Sequence, residues 1–426
     1  MMSHKKFGRL KARSFFRFLG PGLVAGAADD DPSGIATYSQ AGAQFGYGLL
    51  WTVVLTWPFM VAVQLISARI GRVTGHGIAA NIKKAMPQPI LIGLVSLLLI
   101  ANIINIAADI AAMGEALQLV VGGGEHGHAL VFGAGCILLQ VFIPYRRYGP
   151  ILKWLTLVLF SYVATVFTVK TDWGLALRST FMPALSMNAD YLLVVVAVFG
   201  TTISPYLFFW QASQEVEEMD LHHRRPLRDL KRGGAQEIDR IAIDTTLGMA
   251  FSNIVAFFII LTTAVTLNAH GIKDIQTSAQ AAEALRPLAG NLTFLLFTLG
   301  IVGTGLLAVP VLAGSAAYGL AEALGWRATL EAKPSEAKGF YIIITVATLL
   351  GVLIDFTSLD PIKMLFWSAV INGIIAVPMI VAMMVLVSDK RLMKRFAISR
   401  SLKIVGWMAA GVMALVLAAL CWSIFK

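Results

Sequence analysis

The chain has 426 residues, 57% of them apolar and only 14% charged, where a soluble domain carries about a quarter of its residues charged. That balance excludes a cytosolic enzyme and leaves room for about ten to twelve bilayer spans of roughly 20 residues each. The net charge of +10 does not point to nucleic acid, because the basic residues are dispersed among short loops instead of clustering on one surface.

In chain order, apolar stretches long enough to span are read at 14–43, 47–71, 88–121, 127–145, 150–169, 190–218, 238–268, 289–322, 338–356, 363–388 and 403–425. All eleven are expected to be helical, since only helices or closed barrels satisfy the backbone in lipid and barrel-type alternation is absent. Trp51, Trp154, Trp173, Trp367 and Trp422 stand near the ends of these runs, as interfacial anchors do. Cys136 and Cys421 fall inside apolar runs, so neither a disulfide framework nor a cysteine metal site is expected. The basic start (Lys5, Lys6, Arg9, Lys11, Arg13, Arg17) mimics a secretory signal, yet the apolar run after it leads into Asp29-Asp30-Asp31-Pro32 with no small-residue cleavage site. A retained first span is expected.

With these spans, 28 of the 34 Lys and Arg residues lie on the side of the amino terminus. The positive-inside rule then places the amino terminus in the cytoplasm and the carboxyl terminus outside. Compact loops and the lack of a targeting segment suggest the inner (cell) membrane of a bacterium.

Two spans carry a helix breaker and polar residues at their midpoint: Ala27 to Gly34 around Pro32 in the first, and Gly200 to Tyr206 around Pro205 in the sixth. Proline lacks the amide donor and clashes with the preceding turn, so both helices are expected to unwind there. Interruptions five spans apart are what an inverted five-plus-five repeat produces, with a substrate site at the bilayer midplane. The repeats would cover about 14–169 and 190–388 of a single transmembrane transporter domain over 1–426, with the last helix, 403–425, outside them. The bland alternative is a pair of simple kinks. Against it stand three carboxylates beside Pro32, each costing about 2.5–3.5 kcal/mol in mid-membrane.

These residues resemble the Nramp family of divalent-metal transporters. The resemblance runs through Gly20-Pro21-Gly22, Asp31-Pro32-Ser33-Gly34 and Gln40 to Tyr47, then Ala68 to Gly75, Ile106 to Asp109, Asp244-Thr245 with Val255, and Leu296 to Gly305. It implies a LeuT-like fold and a metal held by a first-span Asp and Asn, a sixth-span Met sulfur and backbone carbonyls. Carried over by position, the Asp is Asp31, the Asn position is Gly34 and the Met position is Ser204, while the carbonyls belong to Ala28 and Thr201. The family's sixth-span histidines fall on Tyr206 and Gln211, and its third-span glutamate on Ala112.

Replacing a thioether by the Ser204 hydroxyl and an amide by Gly34 would make a harder, roomier and wetter site. That suits magnesium, which keeps most of its waters and takes one or two carboxylates. The seven histidines, His4, His76, His126, His128, His222, His223 and His270, all lie in tails or loops or near a span end, which argues against nitrogen-ligated zinc or nickel. With His and Glu relays missing, proton coupling is expected to be weak or absent. No cofactor is expected; magnesium, with manganese as the rival, is the expected transported substrate, and the partners are the cation and the bilayer, with the oligomeric state open and a monomer plausible.

Other polar residues carry weaker signals. Asp109 and Glu115 lie on different faces of one helix and cannot hold one ion together; Asp109 and Asp30 are placed near the site or its pathway. Asp244 is read as a helix-start residue or a relay, Gln211 as a contact for a retained water, and Asn372 as a border of the metal cavity or an interhelical hydrogen bond. Gly122 to His128 is read as a flexible turn in preference to an external metal trap, Glu215, Glu217 and Glu218 as a solvated cytoplasmic vestibule, and His222 to Arg232 as a basic loop that is most simply the positive-inside signal or else a contact for anionic lipid. The competing functions are a proton-coupled manganese or iron importer, a sodium-coupled amino-acid carrier, whose substrate carboxylate three aspartates would repel, and an intramembrane aspartyl enzyme.

Overall fold

The computed structural model describes residues 20–152, 154–357 and 359–424. The start of the first span at 14, the basic amino-terminal segment, Lys153 and Lys426 lie outside them. The described residues form helices and no strand: α1 (Pro21–Asp29), α2 (Pro32–Phe45), α3 (Leu50–Thr74), α4 (Ile78–Ala85), α5 (Gln88–Val121), α6 (Glu125–Phe142), α7 (Tyr145–Leu152), α8 (Phe160–Thr168), α9 (Trp173–Phe181), α10 (Ala189–Thr202), α11 (Pro205–Leu221), α12 (Ala235–Thr266), α13 (Thr293–Leu324), α14 (Lys338–Asp355), α15 (Pro361–Ser388) and α16 (Arg400–Ile424).

The eleven expected spans are all present as helix, the first as α1 and α2 and the sixth as α10 and α11. Eight stretches are long and apolar enough by themselves to cross a membrane, one of them running from Pro32 to Thr74. The fifth is the weakest, because Leu155–Leu159 is a tight 3-10 turn and α8 adds only nine residues.

Proline alone does not make the interruptions. Pro58, Pro310 and Pro378 all sit inside continuous helices, α3, α13 and α15. At Asp31-Pro32 and Ser204-Pro205 the residue before the proline is polar and extended (ψ 172° and 130°), the conformation that a following proline favours. The chain therefore stops and restarts at these two places instead of kinking.

The core is built around α12, which packs on α1, α2 and α3, and around α13 on α5, while α10 lies on α15 and α11 on α3. The contact of α1 with α12 has no room for side chains. A Cβ on Gly26 would stand 2.2 Å from the carbonyl oxygen of Gly248, and one on Gly248 would stand 2.2 Å from that of Gly22. Small residues are what let two helix backbones approach this closely in a membrane.

The loops gather at two ends. At one, Arg72 donates to the Arg225 carbonyl, Glu322 accepts from the Ala80 amide, and Lys394 and Arg395 donate to the Arg228, Lys231 and Gly233 carbonyls. This end carries most of the described basic loop residues and is the basic end below. At the opposite end Asn268 donates to the Ala43 carbonyl, Glu115 accepts from Ser278, and His126 bonds Asp355.

Candidate metal site

The two interruptions face each other, and one hydroxyl joins them. Tyr206, in the first turn of α11, donates to both the Ala28 carbonyl (3.0 Å) and Asp31 Oδ2 (3.1 Å). The other Asp31 oxygen, Oδ1, caps α2 by accepting from the Gly34 amide and the Ser33 hydroxyl, both at 2.7 Å. Pro32 has no amide hydrogen to offer there, which suits the first helical position. A second strut links Tyr38 Oη to Thr202 Oγ1 at 2.9 Å.

Four ligands were expected. Asp31 and Ala28 are brought together around the Tyr206 hydroxyl. Thr201 and Ser204 instead pair with one another: the Ser204 hydroxyl turns back on α10 and donates to the Gly200 (2.9 Å) and Thr201 (2.6 Å) carbonyls. In this arrangement Ser204 satisfies the carbonyls freed at the end of α10 and does not point to Asp31. Thr201 approaches the first interruption only through its hydroxyl, 3.5 Å from that of Ser33.

Gly34 does not leave open space, which corrects the expectation of a roomier site. A Cβ there would stand 3.3 Å from Thr201 Oγ1, 3.3 Å from the Tyr38 ring and 3.4 Å from the Asp29 carbonyl. A side chain at this position therefore requires neighbours on α10, α2 and α1 to give by a few tenths of an ångström.

Asp29 and Asp30 are as buried as Asp31, at 0%, 0% and 1% exposure. The Ser252 hydroxyl of α12 lies 2.5 Å from Asp29 Oδ2 and 3.0 Å from Asp30 Oδ1, while Asp29 Oδ1 and Asp30 Oδ2 have no partner. Asp109 is fully buried in α5, both of its oxygens are unpartnered, and it is close enough to Asp31 for their charges to interact. Among the described residues, no Lys, Arg or His forms an ion pair or hydrogen bond with any of these four carboxylates, whose side-chain partners are Ser33, Gly34, Tyr206 and Ser252 alone. No three His, Cys, Asp or Glu side chains converge on one point either, so the oxygen set suits an ion that keeps part of its water shell.

Gln211 is fully buried with both amide atoms unpartnered, a polar spot in α11 about two turns beyond the interruption. Asn372 exchanges two 3.1 Å hydrogen bonds with Asn105, so its side chain ties α15 to α5, as the interhelical alternative expects. Glu115 reaches Ser278 at the opposite end, well separated in role from Asp109.

Two sequence readings are overturned at the basic end. Glu215 and Glu217 do not line a solvated vestibule: Glu215 is buried against Arg240 (2.7 Å), and Glu217 accepts from Tyr318 and the Leu330 amide, both 2.6 Å. Of the three, only Glu218 is even half-exposed. Asp244 does not start its helix, which begins nine residues earlier. It caps α1 from the side, accepting from the amides of Gly20 (2.8 Å), Gly22 (2.7 Å) and Leu23 (3.3 Å). Sequence reading gave no role of their own to Ser33 and Thr202, although both lie within the two interruptions, and it missed Tyr38 and Ser252, whose only signal was polarity within apolar helices.

Comparisons with known proteins agree with this architecture. The Nramp (Natural resistance-associated macrophage protein-like) family matches residues 22–423. A divalent metal cation transporter MntH of Mesorhizobium japonicum is 25% identical over 94% of this chain and 87% of its own length. One from Yersinia enterocolitica is 28% identical over 70% of this chain and 71% of its own. Among solved structures, a manganese transporter of Eremococcus coleocola superposes with a TM-score of 0.77 at 15% identity, over 96% of this chain and 87% of that one. The nucleobase-cation-symport-1 transporter Mhp1 superposes with a TM-score of 0.57 at 14% identity, over 95% and 92%. With interrupted first and sixth helices, a LeuT-like arrangement and a match over nearly its whole length, the chain belongs to the Nramp family.

Proposed function

We propose that the protein carries a divalent metal cation across the membrane by alternating access, with magnesium preferred, manganese tolerated and proton coupling weak or absent. One observation carries this reading: four fully buried carboxylates, Asp29, Asp30, Asp31 and Asp109, have no basic partner among the described residues. Uncompensated carboxylates in a low-dielectric interior are costly, and a dication offsets that cost. Asp31 Oδ2 and the Ala28 carbonyl are the donors nearest to convergence, with the Tyr206 hydroxyl holding their place. The Thr201 carbonyl and Ser204 hydroxyl join the set once Ser204 turns away from α10. Gln211 and Asp109 border the path.

The oxygen-only donor set supports magnesium over softer metals. The second reading, a proton-coupled manganese or iron importer, is favoured by the relatives, which include a manganese transporter. A substrate bearing its own carboxylate fits poorly beside four buried aspartates, which disfavours the sodium-coupled amino-acid carrier, and membership of the family sets the aspartyl enzyme aside.

In this reading the basic end faces the cytoplasm of a bacterial cell and is closed in the present conformation. Entry is from the opposite end, where a cavity of about 220 Å³ is lined by Gln40, Gln44, Asp190, Asp274 and Lys363 and reaches Ala36, two residues from Gly34. The two repeats, 14–169 and 190–388, move against each other around the site. Calorimetry with magnesium, manganese and calcium on the protein and on Asp31→Asn tests the site. Proteoliposomes with a lumenal pH dye test coupling: flux of manganese but not magnesium, with robust acidification, would replace this reading by the second one.

A further inference from the structure

A groove away from the transport path joins α3, α12 and α16 near the basic end. It encloses about 410 Å³, and its walls are apolar: Trp57, Val61, Leu65, Leu402 and Val405 line it, with Arg69 and the hydroxyls of Thr246, Ser399 and Ser401 supplying the polar part. Trp57 is 42% exposed, so the groove opens sideways on the surface that the helices present to lipid.

Arg69 is the unusual member. It is half-buried, its Nε is shut off from solvent, and among the described residues it makes no hydrogen bond or ion pair. Asp239 of α12, an exposed residue, acts on it through space without pairing. An arginine is rarely left in this state, because its guanidinium offers five donors in a fixed fork that matches a phosphate. Ser399 and Ser401 stand 3.1 Å apart at the start of α16 and add hydroxyl donors at the same end of the groove. Arg400 and Lys403, both exposed, flank them.

We propose that this groove binds one phospholipid with an anionic head group, its phosphate on Arg69, Ser399 and Ser401 and an acyl chain along Trp57, Leu65 and Val405. The occupant follows from charge and shape together. An apolar wall with a cationic, donor-rich end is complementary to an anionic amphiphile, whereas the chain's own basic amino-terminal segment would bring like charge to Arg69. Because α3 also carries α11, and Thr246 of the groove follows the Asp244 cap by two residues, lipid in the groove braces the helices that close the basic end.

The test is a titration of the full chain in detergent with phosphatidylglycerol, phosphatidylcholine and inorganic phosphate, read as thermal stability and as lipid retained in native mass spectrometry. The expected result is a saturable upward shift with phosphatidylglycerol, one lipid retained, and no shift with inorganic phosphate. Arg69→Gln weakens the phosphatidylglycerol affinity at least roughly tenfold, the loss of one charge-assisted pair. Ser401→Glu, at an exposed position that tolerates change, does the same by repulsion and covers the case in which Arg69→Gln fails to fold. Equal shifts with phosphatidylcholine, or full phosphatidylglycerol binding by Ser401→Glu, overturn the proposal.

Discussion

The Tyr206 hydroxyl bonds Asp31 across the two interrupted helices, at 3.1 Å, and shares its donor with the Ala28 carbonyl. A cation taking Asp31 and Ala28 as ligands must displace that hydroxyl or turn it outward. Tyr206→Phe is therefore expected to bind metal several-fold more tightly while losing about 1–3 kcal/mol of stability in the metal-free state, since Ala28 is left unsatisfied. Calorimetry paired with thermal melts, with and without metal, measures both effects; weaker metal binding would make Tyr206 a ligand instead of a competitor.

Restoring the family's asparagine at position 34 is not expected to restore a ligand. The contacts at 3.3 Å with Thr201 and Tyr38 make Gly34→Asn an overpacking change costing about 1–3 kcal/mol. Combined with Thr201→Ala, which removes one of the blocking atoms, the cost falls. A denaturant series on both variants checks this, and additive penalties would show that the two residues do not compete for space.

Asp244 holds the start of α1 in place through three amides. In Asp244→Ala these donors lose their acceptor, at a cost of about 1–3 kcal/mol, and α1 detaches more often from α12. Hydrogen exchange over residues 20–29 is expected to quicken about tenfold or more, with exchange in α13 unchanged. Uniform acceleration across the chain would mean a general loss of fold and no specific cap.

For Asn105 and Asn372, a double-mutant cycle with alanine should give a coupling of about 0.5–2 kcal/mol. Metal affinity of Asn372→Ala is expected to stay within about twofold of the parent. A large loss of affinity would put Asn372 at the cation after all.

The architecture was legible because lipid is a strict solvent. Runs of apolar residues marked each span, and polar residues beside Pro32 and Pro205 marked the two interruptions, while the packed helices alone showed that the prolines at 58, 310 and 378 are accommodated without a break. Asp31 could be singled out in the same way, since a carboxylate beside a break in mid-membrane has few structural uses.

What the sequence could not determine was where each polar atom turns, because hydrogen-bond partners here are distant in the chain and depend on helix rotation and depth. Ser204 occupies a ligand position by order along the chain, yet its hydroxyl finds nearer acceptors on α10. Asp244 lies within its own helix but serves another that begins over two hundred residues away, and Glu215 and Glu217, polar enough to face water, are satisfied inside by Arg240, Tyr318 and a backbone amide. Apolar pattern and helix breakers determine where the chain crosses and where it opens, through solvation that acts residue by residue. Which oxygens remain free for a cation is decided only when the packed helices have chosen among competing donors and acceptors a few ångströms apart.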